Sequence, residues 1–296
     1  MFELPVEMKI SLAAPAKINW FLSVLNKRED GYHNIISPMQ CVDLFDSLSF
    51  EEAEDIHLLS DLDIPVEGNL VYKAAALLKR VSAYKFGARI ELKKNIPLAA
   101  GLGGGSSDAA LTLSGLNRLW GLNYDKRTLM RLAAEIGSDV PFFLAGPLAL
   151  VEGRGEKVTE LNAGGSMVLL LVKPDISVSA SWAYNLFKTR LTKKAVDIKL
   201  FCQALERNNF AFLRDTVFND LEDVVIGHYP VVGEIKTILA RNGALFSLMS
   251  GSGPTVFSGF TASEEAARAS KNLPGEWCRV VRTLKRSDEV GMGNEA

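Results

Sequence analysis

The sequence predicts an α+β protein of two domains, and three observations carry that prediction. Its 296 residues suit two domains at about 150 residues each. The first half alternates strand-like with helix-like stretches. After the segment Asn162-Ala163-Gly164-Gly165-Ser166 the order becomes strand, helices, strand, strand, helix, strand. That is the βαββαβ plan of a ferredoxin-like domain with an enlarged first helical connection. The predicted division is 1–161 and 167–296.

The elements follow from local patterns. Ala88–Lys94 alternates apolar and polar residues, as a half-buried strand does. Ser106–Trp120 carries Ala110, Leu113, Leu116, Leu119 and Trp120 at helical spacing, and Gly121 terminates it. A second helix starts at Asp125, a good N-cap residue, with Leu129, Leu132, Ala133 and Ile136 on one face, and ends at Gly137. Leu148–Val151 and Lys157–Leu161 flank Gly153-Arg154-Gly155 and read as a hairpin. Met167–Val172 is continuously apolar and predicts a strand buried on both faces. Helices across about 199–242, strands Ala244–Met249 and Thr255–Phe260, a helix Ser263–Asn272 and a strand Cys278–Leu284 complete the chain. The tail from Arg286 to Ala296 is expected to fray.

Composition narrows the function. Lys and Arg number 33 against 35 Asp and Glu, a net charge of −2. A nucleic-acid binder usually shows a basic domain, so none is expected here. Any phosphate-bearing ligand must then be held by local geometry. The run Met167–Val172 is far short of the roughly 20 residues of a membrane helix. Glu3 and Glu7 stand where a signal peptide would carry basic and then apolar residues. Cys41, Cys202 and Cys278 are odd in number and widely spaced, which predicts reduced thiols in a cytoplasmic protein and no structural zinc.

The strongest local feature is Pro97-Leu98-Ala99-Ala100-Gly101-Leu102-Gly103-Gly104-Gly105-Ser106-Ser107-Asp108, between a predicted strand and a predicted helix. Missing side chains let backbone N–H groups approach a ligand, and a helix N-terminus favours an anion. Ser106 and Ser107 offer hydroxyls to cap the helix, touch phosphate or reach a metal ion. The loop lacks the lysine of a Walker A motif, and a serine replaces the last glycine of a dinucleotide fingerprint. Phosphate binding is the favoured reading.

Other segments are plainer when taken singly. Asp139 in Gly137-Ser138-Asp139-Val140-Pro141 reads as the cap of a short helix, and Lys17 as a snorkelling strand residue. Asp30-Gly31 marks a turn. Ser250-Gly251-Ser252-Gly253-Pro254-Thr255 reads as a hairpin turn that could also form a second anion nest.

Taken together they say more. Pro15-Ala16-Lys17-Ile18-Asn19, the Pro97–Asp108 loop and Met249-Ser-Gly-Ser-Gly-Pro-Thr-Val256 resemble the three motifs of the GHMP kinases. The resemblance runs from about Ala14 to Phe257. It implies an N-terminal domain like the second domain of ribosomal protein S5, binding ATP over 1–161, and a ferredoxin-like substrate-binding domain over 167–296. The active site would lie between them. Ala14–Leu22, Asp30-Gly31-Tyr32-His33 and Gly137–Pro141 resemble the branch acting on 4-diphosphocytidyl-2-C-methyl-D-erythritol, a step of isoprenoid precursor biosynthesis. The implied reaction moves the γ-phosphoryl group of ATP to the 2-hydroxyl, with Mg²⁺ as cofactor.

By that resemblance Asp139 positions the hydroxyl or accepts its proton, and Lys17 neutralises phosphate and alkoxide charge. Residues Pro97 to Ser107 would cradle ATP, Ser106 first among them for phosphate or Mg²⁺, and Asn69 would lie near the adenine. Tyr32, His33 and Tyr184 would recognise the cytosine by stacking and edge hydrogen bonds, Asn19 would touch the erythritol portion, and Gly251 and Gly253 would line the substrate side. No acidic metal cluster is visible, so protein ligands of Mg²⁺ are unassigned. Monomer and homodimer both remain open. The competing readings are a relative acting on a smaller alcohol such as homoserine or mevalonate, and a non-catalytic nucleotide- or RNA-binding module.

Overall fold

The computed structural model describes residues 9–162, 165–187, 195–273 and 275–285. Glu3, Glu7, the centre of the Asn162–Ser166 segment and the tail from Arg286 lie outside the described residues.

The first half is built on one long strand. β1 (Ile10–Asn19), β2 (Ser23–Lys27), β4 (His57–Ser60), β5 (Gly87–Lys93), β6 (Leu148–Gly153) and β7 (Lys157–Glu160) join β3 (His33–Ala53) in a seven-stranded sheet. β3 serves as a spine because its 21 residues outrun every partner. β2 and then β1 pair along one side, β6 and then β5 along the other, all antiparallel. Pro38 sits in this central strand, where a residue without an N–H ordinarily costs a ladder bond. It falls where the β2 pairing has ended at Ile36 and the β1 pairing has not begun at Met39. Its carbonyl still accepts from the Trp20 N–H at 3.0 Å.

Helices α1 (Leu70–Ser82), α2 (Gly104–Leu119), α3 (Lys126–Ile136) and α4 (Val140–Ala145) cover one face of this sheet. Their apolar faces meet Phe50, Ile90 and Leu92 in one core with Leu78, Leu113, Leu116 and Leu132. Asp125 caps α3 as its residue type predicts, its side chain accepting from the Thr128 N–H. α2 begins two residues earlier than Ser106, inside the glycine run. Gly103, in the left-handed region, is its N-cap residue, and no side chain caps it.

The second half forms a four-stranded antiparallel sheet in the order β11 (Trp277–Arg282), β8 (Val168–Lys173), β10 (Val256–Phe260), β9 (Phe246–Met249). Helices α5 (Ala180–Leu186), α6 (Ile198–Glu206), α7 (Phe210–Thr216), α8 (Glu222–His228) and α9 (Val231–Arg241) lie between β8 and β9, and α10 (Ser263–Ser270) between β10 and β11. The expected βαββαβ order is present. α5 is an addition to it, marked in the sequence by Ser179, whose side chain accepts from the Trp182 N–H.

β8 is buried on both faces, and the reason is visible in its neighbours. Val168, Leu170 and Val172 face α9 and α10 in one core, with Val232, Ile235, Leu239 and Ala266. Leu169 and Leu171 face the other way, onto Ile18, Trp20 and Val42 of the first half. Trp20 meets Phe201, Phe246 and Phe257 with ring centres about 6 Å apart. The two sheets therefore share an apolar core. Backbone bonds cross it too, from Leu22 N to Phe218 O and from Asp220 N to Leu22 O, both 2.9 Å. No helix of the described residues is long and apolar enough to cross a membrane.

Candidate active site

Lys17 and Asn19 are two residues apart on β1, so their side chains leave the same face. The register of β1 on β3 shifts between Pro15 and Ala16. Beyond the shift the strand is covered on both faces, and Lys17 is 3% exposed. The snorkelling reading of Lys17 is thereby corrected: the second sheet and α2 close over the stretch where it stands.

The buried ammonium has two partners among the described residues. Lys17 Nζ donates to Asn19 Oδ1 at 2.6 Å and lies 3.7 Å from Asp139 Oδ2. Asn19 is fixed in turn, since its Nδ2 donates to Ser37 Oγ at 2.8 Å and that hydroxyl donates to the Phe21 carbonyl at 2.6 Å. Burial pulls the Lys17 pKa below its ordinary value, and Asp139 opposes the shift. Asp139 occupies the N-cap position of α4 yet makes no side-chain capping bond. The capping reading is thereby corrected, and the carboxylate is available to the cleft.

The glycine loop wraps this pair. The Lys17 N–H donates to the Leu102 carbonyl at 2.9 Å. A Cβ on Gly103 (φ +70°) would lie 2.9 Å from Lys17 Cγ and from Phe143 Cζ. On Gly101 (φ +74°) it would lie 2.2 Å from the Ser250 carbonyl oxygen. These two positions require glycine both for their backbone conformation and for the closeness of what they touch. The Ser250–Thr255 turn locks on from the other half of the molecule: Ser250 Oγ donates to the Gly101 carbonyl at 3.0 Å and Thr255 N to the Ala100 carbonyl at 3.3 Å. Asn219 holds that turn by donating to the carbonyls of Met249 and Gly251 at 2.8 and 2.7 Å.

At the far end His33 stacks on Tyr184, ring centres 5.5 Å apart and planes 25° from parallel. Burial, then the Lys27 charge, lowers the His33 pKa, which favours the neutral ring. Tyr32 is half exposed at the rim, and the Arg154 guanidinium lies 5.3 Å from its ring centre. Arg154 is aimed by a tight hairpin turn: a Cβ on Gly155 (φ +129°) would lie 2.7 Å from the carbonyl of Ser138, next to Asp139.

All of this borders one cavity of about 590 Å³, lined by Lys17, Asn19, Tyr32, His33, Gly101, Gly103, Ser106, Asp139, Tyr184 and Gly251 among others. These sequence-predicted residues come together. Gly253 instead shapes the turn behind it, with Met249 Sδ where a Cβ would go, and Asn69 caps α1 by accepting from the Val71 N–H at 2.9 Å. Ala100, Leu102 and Ser107 point into the protein, and Leu98, Ala99 and Gly105 are exposed. Pro97 is half-buried, as is Gly104, which packs on Ile96 and Lys94. Arg154, Ser138, Ser181, Asn185 and Ser252 also line the cavity. Sequence reasoning missed them. Ser138 and Ser252 lie within motifs the sequence had marked, Arg154 had the Gly-Arg-Gly turn, and Ser181 and Asn185 had only the nearby cap Ser179.

Among the described residues no group of three or more His, Cys, Asp or Glu could hold a divalent ion. Ser106, at the helix N-terminus and on the cavity wall, fits an ion that arrives with phosphate oxygens.

A fold in which two α+β halves close a glycine loop over a buried lysine and its partly exposed carboxylate partner is that of a small-molecule kinase. Residues 69–147 match the GHMP kinases N terminal domain and residues 192–279 the GHMP kinases C terminal domain; the chain belongs to the GHMP kinase family. It is 49% identical over 279 residues to the 4-diphosphocytidyl-2-C-methyl-D-erythritol kinase of Thermodesulfovibrio yellowstonii, covering 93% of this chain and 98% of that protein. A solved 4-(cytidine 5′-diphospho)-2C-methyl-D-erythritol kinase matches at a TM-score of 0.79 and 32% identity, over 93% of this chain and 99% of that one. Homoserine kinase from Cytophaga hutchinsonii matches at a TM-score of 0.73 and 19% identity, over 96% and 97%, a likeness of fold alone.

Proposed function

We propose that the chain transfers the γ-phosphoryl group of ATP to the 2-hydroxyl of 4-diphosphocytidyl-2-C-methyl-D-erythritol, giving the 2-phosphate and ADP. The observation that carries this is one cavity joining the Lys17–Asp139 pair to the stacked His33–Tyr184 pair. It offers a phosphoryl-transfer centre and an aromatic wall on which a flat ring can stack in the same space. The identity shared with relatives of that name supports it. Both substrates are small molecules of the cytoplasm in this reading.

Residues 1–161 carry the nucleotide side. The loop Pro97–Ser107 and the N-terminus of α2 hold the triphosphate with backbone N–H groups, and Asn69 stands at the start of α1 beside them. Ser106 would hold a Mg²⁺ ion that arrives with the triphosphate, and the ion would supply charge neutralisation on the phosphate oxygens. Asp139 orients the 2-hydroxyl and accepts its proton as the oxygen bonds to the γ-phosphorus and the bond to the ADP oxygen breaks, help worth about 10²–10⁴ in rate. Lys17 keeps a third N–H for the charge that develops on the transferring group. Residues 167–296 supply Tyr184 and the Gly251 turn to the substrate side. His33 reads the cytosine edge, Tyr32 and Tyr184 supply rings, and Asn19 meets the erythritol. Arg154 adds the cation that a diphosphate requires there.

The test is an ADP-release assay with Mg²⁺ and a panel of alcohols. Turnover is expected with the cytidylyl substrate. Equal turnover with homoserine or mevalonate, and none with the cytidylyl compound, overturns the assignment.

A further inference from the structure

Behind the Lys17–Asp139 pair runs a line of buried hydrogen bonds whose direction is set by chemistry. Ser37 on β3 and Asn19 and Lys17 on β1 are each 3% exposed or less. The line starts at the Phe21 carbonyl, in the link between β1 and β2, and a carbonyl can only accept. The Ser37 hydroxyl gives its one proton to that carbonyl, at 2.6 Å. What remains on Ser37 Oγ is acceptor capacity, so the atom of Asn19 that meets it at 2.8 Å has to be the donor Nδ2. Oδ1 then faces the other way, onto the Lys17 ammonium, which has only donors and gives it one at 2.6 Å. Turned over, the amide would set donor against donor at the lysine and waste the acceptor on Ser37.

The line is anchored at both ends. Ser37 is in register with Val151 of β6 and stands in the gap that the β2 and β1 pairings leave on the other side of β3. The Phe21 ring lies flat on Phe218, centres 5.4 Å and planes 9° apart. The following N–H, of Leu22, donates to the Phe218 carbonyl at 2.9 Å. Phe218 in turn precedes Asn219, which holds the Gly251 turn. That turn closes over the other end: a Cβ on Gly251 would lie 3.2 Å from both Asn19 Oδ1 and Lys17 Nζ. The position of the ammonium is thus referred, through Asn19 and Ser37, to backbone fixed in the core that the two halves share.

We propose that Ser37 is a positioning residue of phosphoryl transfer, acting through Asn19. Its hydroxyl holds the amide so that Oδ1 takes one proton of the Lys17 ammonium and leaves the other two for Asp139 and the transferring group. Without that hydroxyl, Asn19 Nδ2 and the Phe21 carbonyl lose the bond between them, the amide is no longer held from behind, and Lys17 shifts in the cleft. This rests on the reading that Lys17 and Asn19 belong to the transfer centre.

The test is a double-mutant cycle of Ser37→Ala and Asn19→Ala in the full chain. Steady-state kinetics with ATP, Mg²⁺ and the cytidylyl substrate are run beside calorimetric ADP binding. Ser37→Ala is expected to lower kcat by about 10- to 100-fold, as misplacing a reacting group by about 1 Å can do. Its ADP affinity is unchanged, because the glycine loop is untouched. The double variant has a kcat within about twofold of Asn19→Ala alone, because one side chain acts through the other. A serine that matters only to folding would lower kcat by the same factor in both backgrounds, and that result overturns the proposal. Wild-type kcat in either single variant overturns it as well. Ser37→Cys, close in size but only a weak donor and acceptor, replaces the alanine variant in the cycle if that variant does not fold. No turnover by the wild type, with ADP still bound, overturns the proposed reaction, and the role of Ser37 falls with it.

Discussion

Asp139→Asn removes one charge from the Lys17 pair without changing its size. At 3.7 Å the attraction is about 4.5 kcal/mol at an effective dielectric of about 20 and about 1 kcal/mol in water. The Asp139 side chain is 34% exposed and Lys17 only 4%, so solvent screens the pair from one side, and about 2 kcal/mol is a fair working value. Burial already lowers the Lys17 pKa, with Asp139 as the opposing influence. The variant leaves the ammonium with Asn19 alone, so it loses its proton at lower pH. Two effects on turnover follow. The rate falls by about 10²–10⁴ through loss of the proton acceptor, and the alkaline limb of the kcat/KM profile moves acidward by about one pH unit or more. ADP binding survives, because the glycine loop is untouched. The assay is coupled ADP release from about pH 6 to 10 beside a calorimetric ADP titration. Wild-type turnover in the variant, or a collapsed rate with the alkaline limb unmoved, would refute the pairing argument.

Three further outcomes are expected. Tyr184→Ala raises KM for the cytidylyl substrate by about 5- to 150-fold, the worth of one stacked ring, and leaves KM for ATP unchanged in steady-state kinetics. Gly101→Ala forces a left-handed alanine against the Ser250 carbonyl and destabilises by at least about 2 kcal/mol, whereas Gly105→Ala, with only Leu70 in ordinary contact at 3.6 Å, leaves the melting temperature unchanged or slightly raised. The folded His33 pKa lies below 6.5, so as pH falls through 6.5 the unfolded chain takes the proton first and stability drops; His33→Gln flattens that part of the denaturation-against-pH curve.

Much of the fold was legible because it rests on local patterns. The capped α3, the β6–β7 hairpin, the α2 stripe and the run that became β8 each follow from spacing that neighbouring residues enforce. β3 was not legible. Its 21 residues contain Pro38, and only the gap between β2 and β1 makes a proline acceptable there. The C-terminal order was read correctly apart from α5. The site divided along the same line: its glycine loop and the roles of Lys17 and Asp139 came from motif resemblance, Arg154 had only the Gly-Arg-Gly turn as a hint, and Asn219 carries no local signature.

By itself the sequence determined which segments fold how, and which backbone stretches could receive an anion, since both depend on residues close in the chain. The tertiary structure alone decided which charges are buried and with whom. Lys17 is a surface lysine in its own segment and a desolvated one only because a second sheet closes over β1. Asp139 is a helix cap in its own segment and turns to the cleft instead, where it meets a buried ammonium. Burial sets the effective dielectric and hence the strength of every charge interaction, and burial comes from segments far apart in the chain.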